Sequence, residues 1–324
     1  MFKIKREKYG KFNKIYLINT KTKEYISIIP EFGANVNEII LYANKKNYSI
    51  IDGDSNYKQL IKNKWFKGAK LIPFPNRIKD GSYLHLGAQY SLPINFPAQH
   101  HAIHGLIYNK KFTIKKIIKS SSFVSLILEN RLRNLKGYPF DITITINYSI
   151  SKRGFKCTTL VKNNSKTPIP FGDGWHPYFK TKSKVNNLFL KLPSNKKISV
   201  DKRMIPTGNK RIFSKFSKLN KIKNQKFDTG FKLAEKESIA TTEIKDANKN
   251  LKICVWQETG KNKYNYLQVF IPPSRNSIAI EPMTCNTNAF SNKEGLIILK
   301  PKETFLASYG IYIEPLTKPP SVPQ

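Results

Sequence analysis

From Phe140 to Ile150 the chain reads FDITITINYSI, in which Ile142, Ile144, Ile146, Tyr148 and Ile150 alternate with Thr143, Thr145, Asn147 and Ser149. A period of two puts every apolar side chain on one face of an extended strand and every polar one on the other. Similar runs occur in SFVSLILE, YLQVFIP, NSIAIEP and ETFLASYGIYIE, while 19 Pro and 16 Gly punctuate the chain at short intervals. No long stretch combines the 3.6-residue period with caps and freedom from breakers. The pattern predicts an all-β protein, a large antiparallel β-sandwich. Strand signals continue on both sides of the Lys-rich segments 58–70 and 215–226, so these are expected as surface loops within a single domain, residues 1–316. The proline-rich ending, 317–324, is expected as a tail.

The formal charge of +36 invites a nucleic-acid reading. The composition argues against dedicated binding: only eight of the 57 basic residues are Arg, the side chain best suited to phosphate and base edges, and the lysines are dispersed along the chain. Cys157, Cys254 and Cys285 are far apart and without C-x-x-C spacing, which predicts reduced thiols rather than a disulfide framework or zinc site. No glycine-rich phosphate loop follows a strand. No apolar stretch approaches the length of a membrane helix, and MFKIKREKYGKFNKIYL lacks the continuous apolar block of an export signal, so the expected location is cytoplasmic.

Four of the five histidines lie in NRIKDGSYLHLGAQYSLPINFPAQHHAIHGL, Asn76 to Leu106. Asn76 and Arg77 follow PFP, whose prolines hold the chain extended at an edge, and Arg77 offers five donors in a planar fork. Gly81 and Gly87 bracket SYLHL and predict a hairpin, with His85 an exposed strand residue. His100, His101 and His104 raise a metal centre, but Pro97 and Gly105 oppose a helix and no nearby acid or Cys completes a ligand set. His104, before a glycine, is the candidate ligand-facing donor.

The fifth histidine lies in FGDGWHPYF. An extended backbone there, as the residue before proline prefers, puts His176 and Tyr178 on one face and Trp175, Pro177 and Phe179 on the other. Packing and proton transfer both remain open for His176. In NSIAIEPMT, Ala279 and Glu281 face opposite to Ile278 and Ile280. Pro282 is expected to keep Glu281 extended and end the ladder, leaving the carboxylate at a sheet rim beside a small residue. A His and a Glu on either side of one substrate would supply reversible proton transfer, with Glu281 ionised near neutral pH and His176 in both forms.

NRIKDGSYLHLGAQYSLPIN, HAIHG, WHPYF and AIEPMT, in this order, resemble the aldose 1-epimerase (galactose mutarotase) family across most of the chain. The resemblance implies a galactose mutarotase-like supersandwich with the sugar site on a concave sheet face, no metal and no organic cofactor. It implies that a small-molecule aldose exchanges α and β anomers, with His176 as general acid at the ring oxygen and Glu281 as base at the C1 hydroxyl. It further implies Asn76, Arg77 and His104 as sugar contacts, Arg77 and His104 helping to polarise the ring oxygen, and Asp228 in FDTGF and Gln268 in LQVF as further contacts. A hexose-6-phosphate 1-epimerase and a non-catalytic sugar-binding protein on the same fold are the alternatives. Monomer and homodimer are both open.

Overall fold

The alternating segment becomes the strand Ile142–Ser151, whose inward residues Ile142, Ile144, Ile146, Tyr148 and Ile150 are fully buried, in a computed structural model describing residues 1–316. The tail expected at 317–324 lies outside the described residues. Ile142–Ser151 is the third strand of a nine-stranded antiparallel sheet. In spatial order that sheet runs Thr113–Lys119, Phe123–Leu132, Ile142–Ser151, Gly154–Asn163, Thr304–Pro315, Leu251–Thr259, Ser238–Asp246, Phe189–Lys191 and Asn220–Lys221. A five-stranded meander formed by Phe2–Tyr9, Phe12–Asn19, Tyr25–Ile29, Asn35–Ala43 and Lys46–Ser49 lies against it. A single apolar cluster takes in Leu17 and Ile28 from the meander, Leu126 and Ile144 from the large sheet, and Val269 and Ile280 from a third sheet. Face-to-face burial of alternating residues is what holds sandwiches together.

The third sheet positions the site. Its six strands run Tyr178–Phe179, Ile278–Met283, Tyr266–Phe270, Asp228–Lys232, Lys196–Val200 and Pro206–Ile212. Glu281 pairs with Gln268, Ala279 with both Phe270 and Tyr178, Gly230 with Gln268, and Asp228 with Phe270. Directly opposed residues and those two apart share a face, so Tyr178, Glu281, Gln268, Phe270 and Asp228 stand on one side, with Gly230 and Ala279 leaving room between them. Leu267, Val269, Ile278 and Ile280 face the core and are fully buried.

Several expectations are corrected. Pro282 does not end its ladder: the strand runs to Met283, with Pro282 opposite Leu267. Pairing with Tyr178–Phe179 covers only Ile278 and Ala279, so Pro282 lies beyond that pairing, where a missing N–H is tolerated. The segment 58–70 is not merely a loop. Asn56 caps a short helix, Tyr57–Lys62, through its side chain to the Gln59 amide, and Lys70 is wholly buried. The hairpin forms as Ser82–His85 against Ala88–Ser91, yet His85 is buried, its Nε2 2.9 Å from the Pro168 carbonyl and its ring edge-on to Phe140. The bracketing glycines place His85 on a hairpin strand but do not tell that another segment covers it. Among the described residues, no helix is long and apolar enough to cross a membrane. The three cysteines are free and buried, and burial pushes the Cys157 and Cys254 thiols up to about 11.

Candidate active site

His176 and Glu281, 105 positions apart in the chain, meet: His176 Nε2 lies 3.5 Å from Glu281 Oε1. His176 arrives on the two-residue strand Trp175–His176, paired with Ala69–Lys70, and Trp175 anchors it by burying its ring and donating its indole N–H to the Gly68 carbonyl. The expected split of faces holds, with the His176 ring stacked on Tyr178 at 5.0 Å between centroids and Trp175 and Phe179 in the core. Both ionisable groups are almost fully buried. His176 Nδ1 and Glu281 Oε2 have no hydrogen-bond partner within the protein. Orphaned polar atoms in a buried cleft mark places where a ligand completes the hydrogen bonding.

The cleft has a volume of about 200 Å³ and is lined by all seven residues singled out in the sequence: Asn76, Arg77, His104, His176, Asp228, Gln268 and Glu281. Asn76 and His104 both sit in the left-handed region, at φ 56° and 62°, and the His104 amide donates to the Asn76 carbonyl at 2.8 Å. Non-glycine residues hold that conformation only where their surroundings impose it. Gly105 follows at φ 73°, where a Cβ would meet the Ile72 carbonyl oxygen at 2.3 Å. The His104 ring packs against His176 at 5.0 Å and Phe66 at 4.7 Å, and its Nδ1 is also unpartnered.

Arg77 is held in a fork. Its Nη1 donates to Asn76 Oδ1 at 2.8 Å, its Nε to Gln99 Oε1 at 3.2 Å, and its Nη2 is 3.7 Å from Asp228 Oδ2. Gln268 Nε2 donates to Asp228 Oδ1 at 2.6 Å. The wall continues outward through aromatic rings: Phe270 meets Tyr178 edge-on at 6.3 Å and stacks on the partly exposed Trp65 at 6.1 Å.

The electrostatics differ from the expectation drawn from free side chains. Burial pushes the His176 imidazole down to about 3, against a small opposing contribution from its own backbone. Burial, reinforced by Asp228 and partly offset by Arg77, raises the Glu281 carboxyl well above its ordinary range. His104 is held well below its usual value by burial, then by His176 and Arg77. Burial thus biases the pair toward a neutral imidazole and a neutral acid, because a dry cleft disfavours both charges. That form differs from imidazolium and carboxylate by a single internal proton transfer.

The remaining histidines are structural or exposed. His101 accepts from the Asp80 amide through Nδ1 and reaches the Arg203 carbonyl through Nε2, and the exposed His100 meets Asp80 at 3.2 Å. Among the described residues, no group of three or more His, Cys, Asp or Glu is placed to hold a metal ion. Sequence reasoning missed Lys64, Trp65, Phe66, Phe96, Gln99 and Phe270 around the cleft. Phe270 was accessible from the alternation Gln268-x-Phe270. The stretch 63–68 has no periodicity and gave no signal.

The family model for aldose 1-epimerase matches residues 15–312. The uncharacterized protein YihR of Escherichia coli (strain K12) is 30% identical over 253 residues, covering 75% of this chain and 79% of that protein. Among solved structures, a galactose mutarotase-like protein from Clostridium acetobutylicum superimposes with a TM-score of 0.85 at 23% identity, covering 97% of this chain and 99% of that one. A galactose 1-epimerase from Lactobacillus acidophilus NCFM gives 0.80 at 16% identity, covering 97% and 99%. The β-sandwich is thus of the galactose mutarotase type, and the chain belongs to the aldose 1-epimerase family.

Proposed function

We propose that the protein is a mutarotase that interconverts the α and β anomers of a free aldose by acid and base catalysis at the ring oxygen and the C1 hydroxyl. The observation that carries this reading is the 3.5 Å approach of His176 Nε2 to Glu281 Oε1 in a buried cleft. The hydroxyl oxygen and ring oxygen of a cyclic aldose are attached to the same carbon, so two proton-transfer groups this close can address both at once. Glu281 as carboxylate takes the C1 hydroxyl proton while His176 as imidazolium protonates the ring oxygen. The C1 to ring-oxygen bond breaks to give the aldehyde and leaves the pair neutral, the form that burial favours. Rotation about C1–C2 and reversal of both transfers close the ring to either anomer. Asn76, Arg77, His104, Asp228 and Gln268 hold the hydroxyls, with Arg77 and His104 helping to polarise the ring oxygen.

The cations lining the cleft are Lys64 and Arg77, and Arg77 is already engaged by Asn76, Gln99 and Asp228. A phosphate subsite calls for several uncommitted Arg or Lys side chains, so an unphosphorylated sugar fits better than a hexose 6-phosphate. Polarimetry or exchange NMR on glucose, galactose, xylose and glucose 6-phosphate tests the reading. Acceleration for a neutral sugar supports it, preference for the phosphate points to the 6-phosphate epimerase, and sugar binding without acceleration refutes catalysis.

A further inference from the structure

We propose that Asp173 and Lys70 are positioning residues whose buried ion pair fixes the separation of His176 and Glu281, an inference that rests on the catalytic reading above. Both side chains are completely shielded from solvent. Lys70 Nζ lies 2.6 Å from Asp173 Oδ1 and 2.8 Å from Oδ2, donates to Thr159 Oγ1 at 3.0 Å, and sits 5.0 Å from the centre of the Tyr309 ring. Tyr264 completes the cage, its hydroxyl donating to Asp173 Oδ2 at 2.7 Å.

The pair stands where the two halves of the site are joined. Asp173 precedes His176 by three residues, and Thr284 follows Glu281 by three. The Asp173 amide donates to Thr284 Oγ1 at 2.9 Å, and the Thr284 amide donates to the Asp173 carbonyl at 2.9 Å. Next to it, Gly174 bridges Met283. On the other side, Lys70 is the register partner of Trp175 and Ala69 that of His176. Asp173 is therefore bound through its backbone to the Glu281 strand and through its carboxylate to the strand opposite His176.

A two-residue ladder such as Trp175–His176 on Ala69–Lys70 has too few hydrogen bonds to hold its own register. A buried ion pair rarely improves stability over apolar residues of the same volume, because desolvation cancels most of the attraction. It does impose one arrangement, since any slip would leave a bare charge in the core. Proton transfer is sensitive to placement: a displacement of about 1 Å can cost on the order of 10²-fold in rate.

The test is the double variant Lys70→Met/Asp173→Asn, which removes both charges at similar volume and leaves Tyr264 an acceptor. Far-UV circular dichroism and thermal melting report the fold, a crystal structure reports the distance from His176 Nε2 to Glu281 Oε1, and polarimetry reports kcat and KM. The expected result is a folded protein with that distance changed by roughly 1 Å, kcat lowered on the order of 10²-fold and KM within about threefold. A folded variant with the distance unchanged and kcat within about threefold of the parent overturns the proposal. Should the double variant not fold, Thr284→Val removes only the hydroxyl that receives the Asp173 amide. About a tenfold fall in kcat at constant KM is then expected, and unchanged kcat overturns the proposal. Absence of mutarotation in the parent protein would instead defeat the functional reading, and the crystallographic distance alone would then decide the positioning role.

Discussion

Replacing Glu281 by Gln separates what this carboxyl group does for chemistry from what it costs the fold. The residue is 1% exposed and its Oε2 has no partner within the protein, so an amide of the same shape fits the same space. Loss of one acid or base group removes on the order of 10²- to 10⁴-fold in rate, or about 3 to 5 kcal/mol of barrier. Stability moves the other way with pH. Because burial raises the Glu281 pKa above 4.5, the folded protein keeps a proton that the unfolded chain releases once the pH exceeds 4.5. Wild-type stability contributed by this group is therefore fully present below pH 4.5 and is lost with rising pH, by up to about 1.4 kcal/mol per pH unit until the folded pKa is reached. Glutamine does not titrate, so any fixed cost of the buried amide is the same at every pH. Urea unfolding at pH 4 and pH 7 should show the variant gaining stability relative to the parent as pH rises, with mutarotation measured by polarimetry reduced at least about 100-fold. Retention of more than about a tenth of the parent rate would refute the assignment of the base. A stability difference that is flat or falls with pH would refute the raising of the Glu281 pKa by burial.

The acid limb of kcat/KM should fall near pH 3 rather than near the 6.5 of a free imidazole, because burial depresses His176 to about 3 and the pair gains its second proton only there; a limb at 6.5 in a pH–rate profile would show a solvated histidine. Gly105→Ala should lower the melting temperature by several degrees, since φ 73° and an Ile72 carbonyl 2.3 Å from the new Cβ together cost about 1 to 3 kcal/mol or more; an unchanged melt by calorimetry would show that the His104 loop gives way freely. Arg203→Ala removes a donor whose Nη2 reaches the Gln99 carbonyl at 2.9 Å, loosening the residue that holds Arg77 Nε. It should raise KM with kcat unchanged, and a fall in kcat alone would place the effect on chemistry instead.

The strands were legible because their signal is local. Period-two alternation in Ile142–Ser151 and Ile278–Met283 told which side chains share a face, and with it the orientation of Glu281, while the extended backbone before Pro177 told that of His176 beside Tyr178. What alternation does not encode is which segment covers a face. His85 was read as exposed although the Pro168 carbonyl and Phe140 enclose it. The shifts at His176 and Glu281, one lowered and one raised by burial, escape the sequence for the same reason, since free-side-chain values hold only while water reaches the group.

Lys70 and Asp173 mark the deeper limit of reading a chain locally. In a protein with 57 basic residues, one more lysine in a Lys-rich segment reads as surface, and its partner is 103 positions away in an FGDG run that reads as turn chemistry. Nothing within ten residues of either predicts that they meet. The sheet register decides it, because pairing Ala69–Lys70 with Trp175–His176 leaves Lys70 pointing away from solvent toward Thr159 and Tyr309, where a carboxylate must follow or the charge is stranded. The same long-range pairings that bring His176 to Glu281 thus create the need for a buried counter-charge beside them, so the arrangement of the cleft and the ion pair behind it are consequences of one topology.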